Sequence, residues 1–128
     1  MENVKDTKEA KTRVVLINQI IDEKLESLGF MKYEISNYSK KGFESLHNLT
    51  YWQYDNYYGI GLGASSKIDN CIIEHNRNLN AYLNYQDTTS KIECSKEEIM
   101  FNHLMMSLRL VKGLDLKEFK ERYNKDIY

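Results

Sequence analysis

Residues 33–66 read YEISNYSKKGFESLHNLTYWQYDNYYGIGLGASS, and how this stretch from Tyr33 to Ser66 is read decides the fold. It holds the chain's single Trp, one of its three His residues and a run in which Gly59, Gly61 and Gly63 alternate with other residues. From Ser36 to Asp55 neither a helical nor a strand period is sustained, which predicts a long loop with at most a short helical turn around Leu49 to Gln53. Tyr57 to Ile68 predicts an extended strand. Side chains alternate along a strand, so the three glycines would share one face and leave bare backbone there, open to a flat ligand or another backbone. The same run, ending in Ala64, satisfies the G-x-G-x-x-G/A dinucleotide fingerprint. That fingerprint must open a helix, whereas Ser65 to Asn70 has turn character, so no nucleotide phosphate site is predicted.

Working outward, Val14, Ile17, Ile21, Leu25 and Leu28 recur at steps of three and four, which predicts an amphipathic helix from about Thr7 to Leu28. Gly29 stands where a left-handed residue would end it, and Phe30 to Ile35 reads as a short strand. After the glycine run, Cys71 to Glu74 is expected to pair back as a hairpin across Lys67 to Asn70, and Leu79 to Leu83 to form a short helix. Ser95 with Glu98 three residues on is a capping box, which starts a helix carrying Phe101, Leu104, Leu108 and Val111 on one face. Gly113 is expected to end it, and Asp115 to start a second helix through Tyr123.

A chain of 128 residues with 41% hydrophobic residues suits one modest globular domain. Eighteen Lys and Arg stand against 19 Asp and Glu, so the net charge of −1 creates no field for a nucleic-acid backbone or an anionic membrane. No window approaches the roughly 18 apolar residues of a transmembrane segment, and the charged start is unlike a signal-peptide core, which reads as a cytoplasmic protein. In that setting Cys71 and Cys94 are expected as free thiols.

The elements Tyr33-Glu34-Ile35-Ser36-Asn37, then Gly42, then His47-Asn48-Leu49-Thr50-Tyr51-Trp52, then Gly59 to Ala64 together resemble the HemW branch of the HemN-like radical S-adenosylmethionine proteins. The HN-x-x-YW element marks that branch. The resemblance covers nearly all of this chain and the later part of a family member. It implies an α+β fold: the end of a radical S-adenosylmethionine α/β barrel through residue 70, with the HN-x-x-YW loop and the glycine strand, and a connecting segment with the start of a helical C-terminal domain over 71–128. It implies haem as ligand, with His47, Asn48, Tyr51 and Trp52 as haem-binding residues and His47 as the iron ligand. Gly59, Gly61, Gly63 and Ala64 would lie along the S-adenosylmethionine and substrate cavity. Family members commonly carry His where this chain has Ser65.

Chemistry on the residues alone agrees in part. A neutral imidazole supplies an axial nitrogen to iron, and Tyr and Trp offer broad apolar faces with polar tips. The plainer reading is that His47 and Asn48 hydrogen-bond loop backbone while Tyr51 and Trp52 fill core. His75, in a polar run, reads as a surface residue; His103, among Leu104, Met105 and Met106, reads as packed. The family's [4Fe–4S] cluster needs three cysteines in a C-x-x-x-C-x-x-C loop, and this chain has two cysteines 23 positions apart. The cluster and S-adenosylmethionine are therefore expected in an intact parent only, and the chain as it stands is expected to be inactive. Three functions follow: part of a haem chaperone that passes haem to an acceptor protein, part of an oxygen-independent coproporphyrinogen III oxidase, or a free-standing interaction module built on the terminal helices and the methionine stripe.

Overall fold

The computed structural model describes residues 2–86 and 89–127, with side chains from residue 9 onward. Helices and antiparallel strands are mixed along the chain, as an α+β protein requires. Two compact units are present, the first ending at Ser45 and the second beginning at Leu46.

The first unit consists of α1 (Glu2–Ser27) and a hairpin of β1 (Met31–Lys32) and β2 (Tyr38–Ser39). Gly29 at φ +80° ends α1 as expected: its N–H bonds to the Glu26 carbonyl and the Phe30 N–H to the Leu25 carbonyl, the paired bonds of a Schellman cap. The stripe that predicted this helix is real in sequence but stays largely exposed, Val14 at 57% and Ile17 at 55%. The hairpin turn is organised by Glu34, which is fully buried; Asn37 Nδ2 and the Ser36 N–H both donate to its Oε1. Along the hairpin, Tyr38 donates its hydroxyl to Asp22 on α1 and Lys32 bonds the same carboxylate.

The second unit opens with α2 (Leu46–Trp52), two turns of helix where no more than one short turn was expected. β3 (Ser65–Ile68), β4 (Cys71–His75) and β5 (Thr89–Glu93) form a meander in the order β3-β4-β5. The predicted hairpin is present: Ile68 pairs with Cys71 across a two-residue turn whose Asp69 takes φ +52°. The predicted strand from Tyr57 to Ile68 is not continuous. Tyr57 bridges Lys67, and Gly59 to Ala64 form the loop between them, with Gly61 at φ +105° and Gly63 at φ +67°. These positive angles fold the chain back on itself, so the three glycines do not present one bare strand face. Gly59 instead lies against Ser65, where an added Cβ would sit 2.2 Å from the carbonyl oxygen.

α3 (Leu79–Leu83) is capped by Asn78, α4 (Lys96–Ser107) by the Ser95 and Glu98 box, and α5 (Leu116–Tyr123) by Asp115. α4 stops at Ser107, and Gly113 at φ +69° closes the turns beyond it rather than the helix. Its packing face also differs from the expected one. Phe101, Leu108 and Val111 are exposed, whereas His103, Ser107 and Leu110, one residue earlier in the same spacing, are buried. The reason is polar satisfaction: the His103 ring meets Tyr123 Oη at 3.1 Å and Ser107 donates its hydroxyl to the Trp52 carbonyl at 3.3 Å, so both are buried at little cost. With Tyr54 and Phe119 they form the small core of this unit.

Candidate functional site

His47, Asn48, Tyr51 and Trp52 all lie on α2, where His47 with Tyr51 and Asn48 with Trp52, each four apart, share a face. His47, near the start of the helix, is exposed and meets Tyr51 edge-on at 4.8 Å between ring centres. Tyr51 in turn meets Tyr57 at 4.5 Å. The three rings form a ladder with an accessible imidazole at one end and Tyr57 at the other. Burial raises the Tyr57 phenol above its ordinary value, so it stays protonated through the neutral range.

Trp52 turns to another side of α2. Its Nε1 is buried with no hydrogen-bond partner among the described residues, and the guanidinium of Arg109 lies over its ring at 4.8 Å. The end of α2 is held from below. Tyr54 takes φ +56°, and its N–H and that of Asp55 bond to the carbonyls of Tyr51 and Thr50, a Schellman cap with Tyr where Gly is usual. Arg122 of α5 donates to the Gln53 and Tyr54 carbonyls at 3.3 and 2.9 Å and lies 3.5 Å from Asp55. Beneath this cap the Tyr54 ring stacks on His103, and the buried ammonium of Lys67 sits 4.3 Å over the Tyr54 ring. Burial, with Arg122 nearby, lowers Lys67, and the same two causes push His103 down to about 4, so its imidazole is neutral at pH 7.

Lys67, Arg109 and Arg122 were not singled out from sequence. Arg122 stands 68 positions from Tyr54, and no local pattern announces so distant a bond. Gly59, Gly61, Gly63 and Ala64 lie in the loop described above: the Gly59 N–H donates to Ser66 Oγ, the Gly63 N–H to the Asn76 carbonyl, and the Ala64 carbonyl accepts from the His75 N–H. A separate cleft of about 200 Å³ is lined by Lys96, Ile99, Met100, Arg122, Tyr123 and Lys125, none of them from α2.

The cluster of the radical S-adenosylmethionine family does not fit these residues. Cys71 lies on β4 and Cys94 just beyond β5, and among the described residues no group of three His, Cys, Asp or Glu side chains is placed to hold a metal ion. No helix of the described residues is long and apolar enough to cross a membrane.

Residues 94–127 match the HemN C-terminal domain family. Among curated proteins, the chain is 38% identical over 117 residues to a protein named haem chaperone HemW from Buchnera aphidicola subsp. Acyrthosiphon pisum, covering 86% of this chain and 31% of that protein. It is 33% identical over 117 residues to the haem chaperone HemW of Bacillus subtilis, covering 85% of this chain and 30% of the relative. A third relative of that name, from Lactococcus lactis, is 33% identical over 98 residues, 74% of this chain and 26% of its own length. The chain thus spans about a third of the length of the curated relatives it matches. No solved structure matches it.

Proposed function

The chain is HemW-like and carries a HemN C-terminal domain, and from that premise we propose that it is part of a haem chaperone, with the α2 element as its haem-binding segment. One observation supports this most: the HN-x-x-YW residues form a helix with an exposed imidazole at one end and Tyr51 and Tyr57 packed ring to ring beside it. An exposed neutral imidazole donates a nitrogen lone pair to haem iron, and the aromatic rings offer faces against which a porphyrin packs. Haem here is cargo, to be released to an acceptor protein. A ligand presented at a helix surface suits a group that must leave again.

In the intact protein, residues up to about 70 would complete a radical S-adenosylmethionine barrel and those beyond would begin its C-terminal domain. Gly59, Gly61, Gly63 and Ala64 are proposed to border the S-adenosylmethionine cavity there, with Gly61 the position most open to a ligand, since an added Cβ meets nothing within 4 Å. The [4Fe–4S] cluster belongs to residues outside this chain, and no step is assigned to it here.

Gel filtration of the chain after incubation with haem tests the reading. Haem absorbance eluting with the protein is expected. A folded chain that elutes free of haem would refute it.

A further inference from the structure

The cleft of about 200 Å³ between the start of α4 and the end of α5 takes no part in the site on α2. Ile99, Met100 and Tyr123 give it an apolar, half-buried floor, and Lys96, Arg122 and Lys125 give it three cations. Among the described residues no carboxylate lines it. In a chain of net charge −1 this is a local excess of positive charge. The acids around it are engaged elsewhere. Asp55 lies 3.5 Å from Arg122, Asp126 lies 3.0 Å from Lys120, and Glu98 accepts from the Ser95 N–H in the capping box. Glu97 and Glu98 border a different hollow with Cys94 and Phe101, and Asp69, in an adjoining one, accepts from Asn56. Lys96 and Lys125 are exposed and pair with no carboxylate among the described residues.

The walls are held in place before any ligand enters. The Tyr123 hydroxyl meets the His103 ring at 3.1 Å and its ring packs on Phe119 at 4.7 Å, while Arg122 is fixed by its bonds to the Gln53 and Tyr54 carbonyls. Such preorganisation lowers the cost of binding. Lys96 is the first residue of α4, where the helix dipole disfavours a cation, so an anion in the cleft relieves that position. The volume lies below the roughly 300–1,000 Å³ of sites for drug-sized ligands, which excludes a ligand of porphyrin size. A bare inorganic anion would leave the apolar floor unused. We propose that this cleft binds a small organic anion, a carboxylate on a short apolar body such as a single ring. The carboxylate pairs with Lys96 and Lys125, the body rests on Ile99, Met100 and Tyr123, and Arg122 is a wall whose charge is shared with Asp55. No residue of α2 lines the cleft, so the proposal stands independently of the haem reading.

The test follows backbone amide NMR shifts of the 128-residue chain during titration with 3-phenylpropionate, with its neutral amide 3-phenylpropanamide, and with inorganic phosphate, all at constant ionic strength. The carboxylate should give saturable shifts at Lys96 to Met100 and Arg122 to Lys125. The amide should bind roughly tenfold more weakly, the scale of charge-assisted pairing, and phosphate more weakly than the carboxylate. Lys96→Gln and Lys125→Gln, each checked for native circular dichroism, should each weaken the carboxylate roughly threefold, as exposed ion pairs do, and leave the amide unchanged. Equal affinity for carboxylate and amide would make the cleft an apolar hollow only, and equal affinity for carboxylate and phosphate a charged patch only; either overturns the proposal. Saturable shifts confined to other residues, unchanged carboxylate binding in both lysine variants, or no saturation with any of the three compounds would overturn it as well.

Discussion

Arg122 donates from Nη2 to the Tyr54 carbonyl at 2.9 Å, which ties α5 to the end of the helix that carries His47. The same guanidinium reaches the Gln53 carbonyl at 3.3 Å. A helix end leaves carbonyls without partners, and here a cation answers both that need and the negative end of the helix dipole. Tyr54 holds a left-handed backbone that costs an ordinary residue about 1 kcal/mol, and its buried ring and these bonds offset that cost.

Removing the cation should therefore loosen α2. Arg122→Ala is expected to lower stability by about 2 kcal/mol, the range for hydrogen bonds to a charged group, and Arg122→Lys to lose less. Urea unfolding of the three proteins checks this, and an unchanged midpoint for Arg122→Ala would contradict it.

His103 makes the second unit sensitive to acid. Its folded value is about 4 against an ordinary 6.5, because burial and then Arg122 disfavour the imidazolium. Between those values the unfolded chain binds more protons than the folded one, so stability falls as pH drops from 6.5 towards 4 and the loss is complete below 4. The slope approaches 1.4 kcal/mol per pH unit and the total reaches roughly 3 kcal/mol. His103→Gln should flatten that part of the profile even though it lowers stability at pH 7. Equilibrium unfolding at pH 7, 6, 5 and 4 gives the slopes, and parallel profiles for the two proteins would disprove the assignment.

Two glycines of one motif should respond differently to the same substitution. At Gly59 a Cβ meets the Ser65 backbone carbonyl, which has no side chain to move aside, so Gly59→Ala should cost roughly 3 kcal/mol. Gly61→Ala meets open space and carries mainly the strain of its positive φ, about 1 kcal/mol. Thermal melts rank them, and a reversed order would show that the loop is not packed on Ser65.

Ser95 tests the capping box directly. Ser95→Ala frees the Glu98 N–H, which its hydroxyl holds at 3.2 Å, and should destabilise α4 by about 1 kcal/mol. Ser95→Asp should restore it, as read by denaturant midpoint.

The local signals in the sequence were legible where a residue acts on its near neighbours. Gly29, Ser95 with Glu98, Asp115 and the hairpin across Asp69 and Asn70 each encode their element within a few positions. The glycine run misled because alternation and turn chemistry use the same residue; only the positive φ of Gly61 and Gly63 separates a bare strand from a loop. On α4, hydropathy favoured Leu104, Leu108 and Val111, while the buried face holds His103 and Ser107, whose polar atoms find partners on Tyr123 and Trp52 far away in sequence. The α2 motif itself stood out through its residue types. Its supports, Arg122, Lys67 and Arg109, lie 13 to 69 positions from Trp52, Gln53 and Tyr54, the residues they hold at the end of α2, and leave no periodic trace.

The most direct measurement is a haem titration followed in the Soret band, comparing the wild-type chain with His47→Ala at matched circular dichroism. The haem-binding account predicts saturable binding by the wild type, with a Soret position typical of imidazole ligation, and at least tenfold weaker binding by the variant, about 1.4 kcal/mol. Identical titrations with identical Soret maxima would remove His47 from the site and contradict the account.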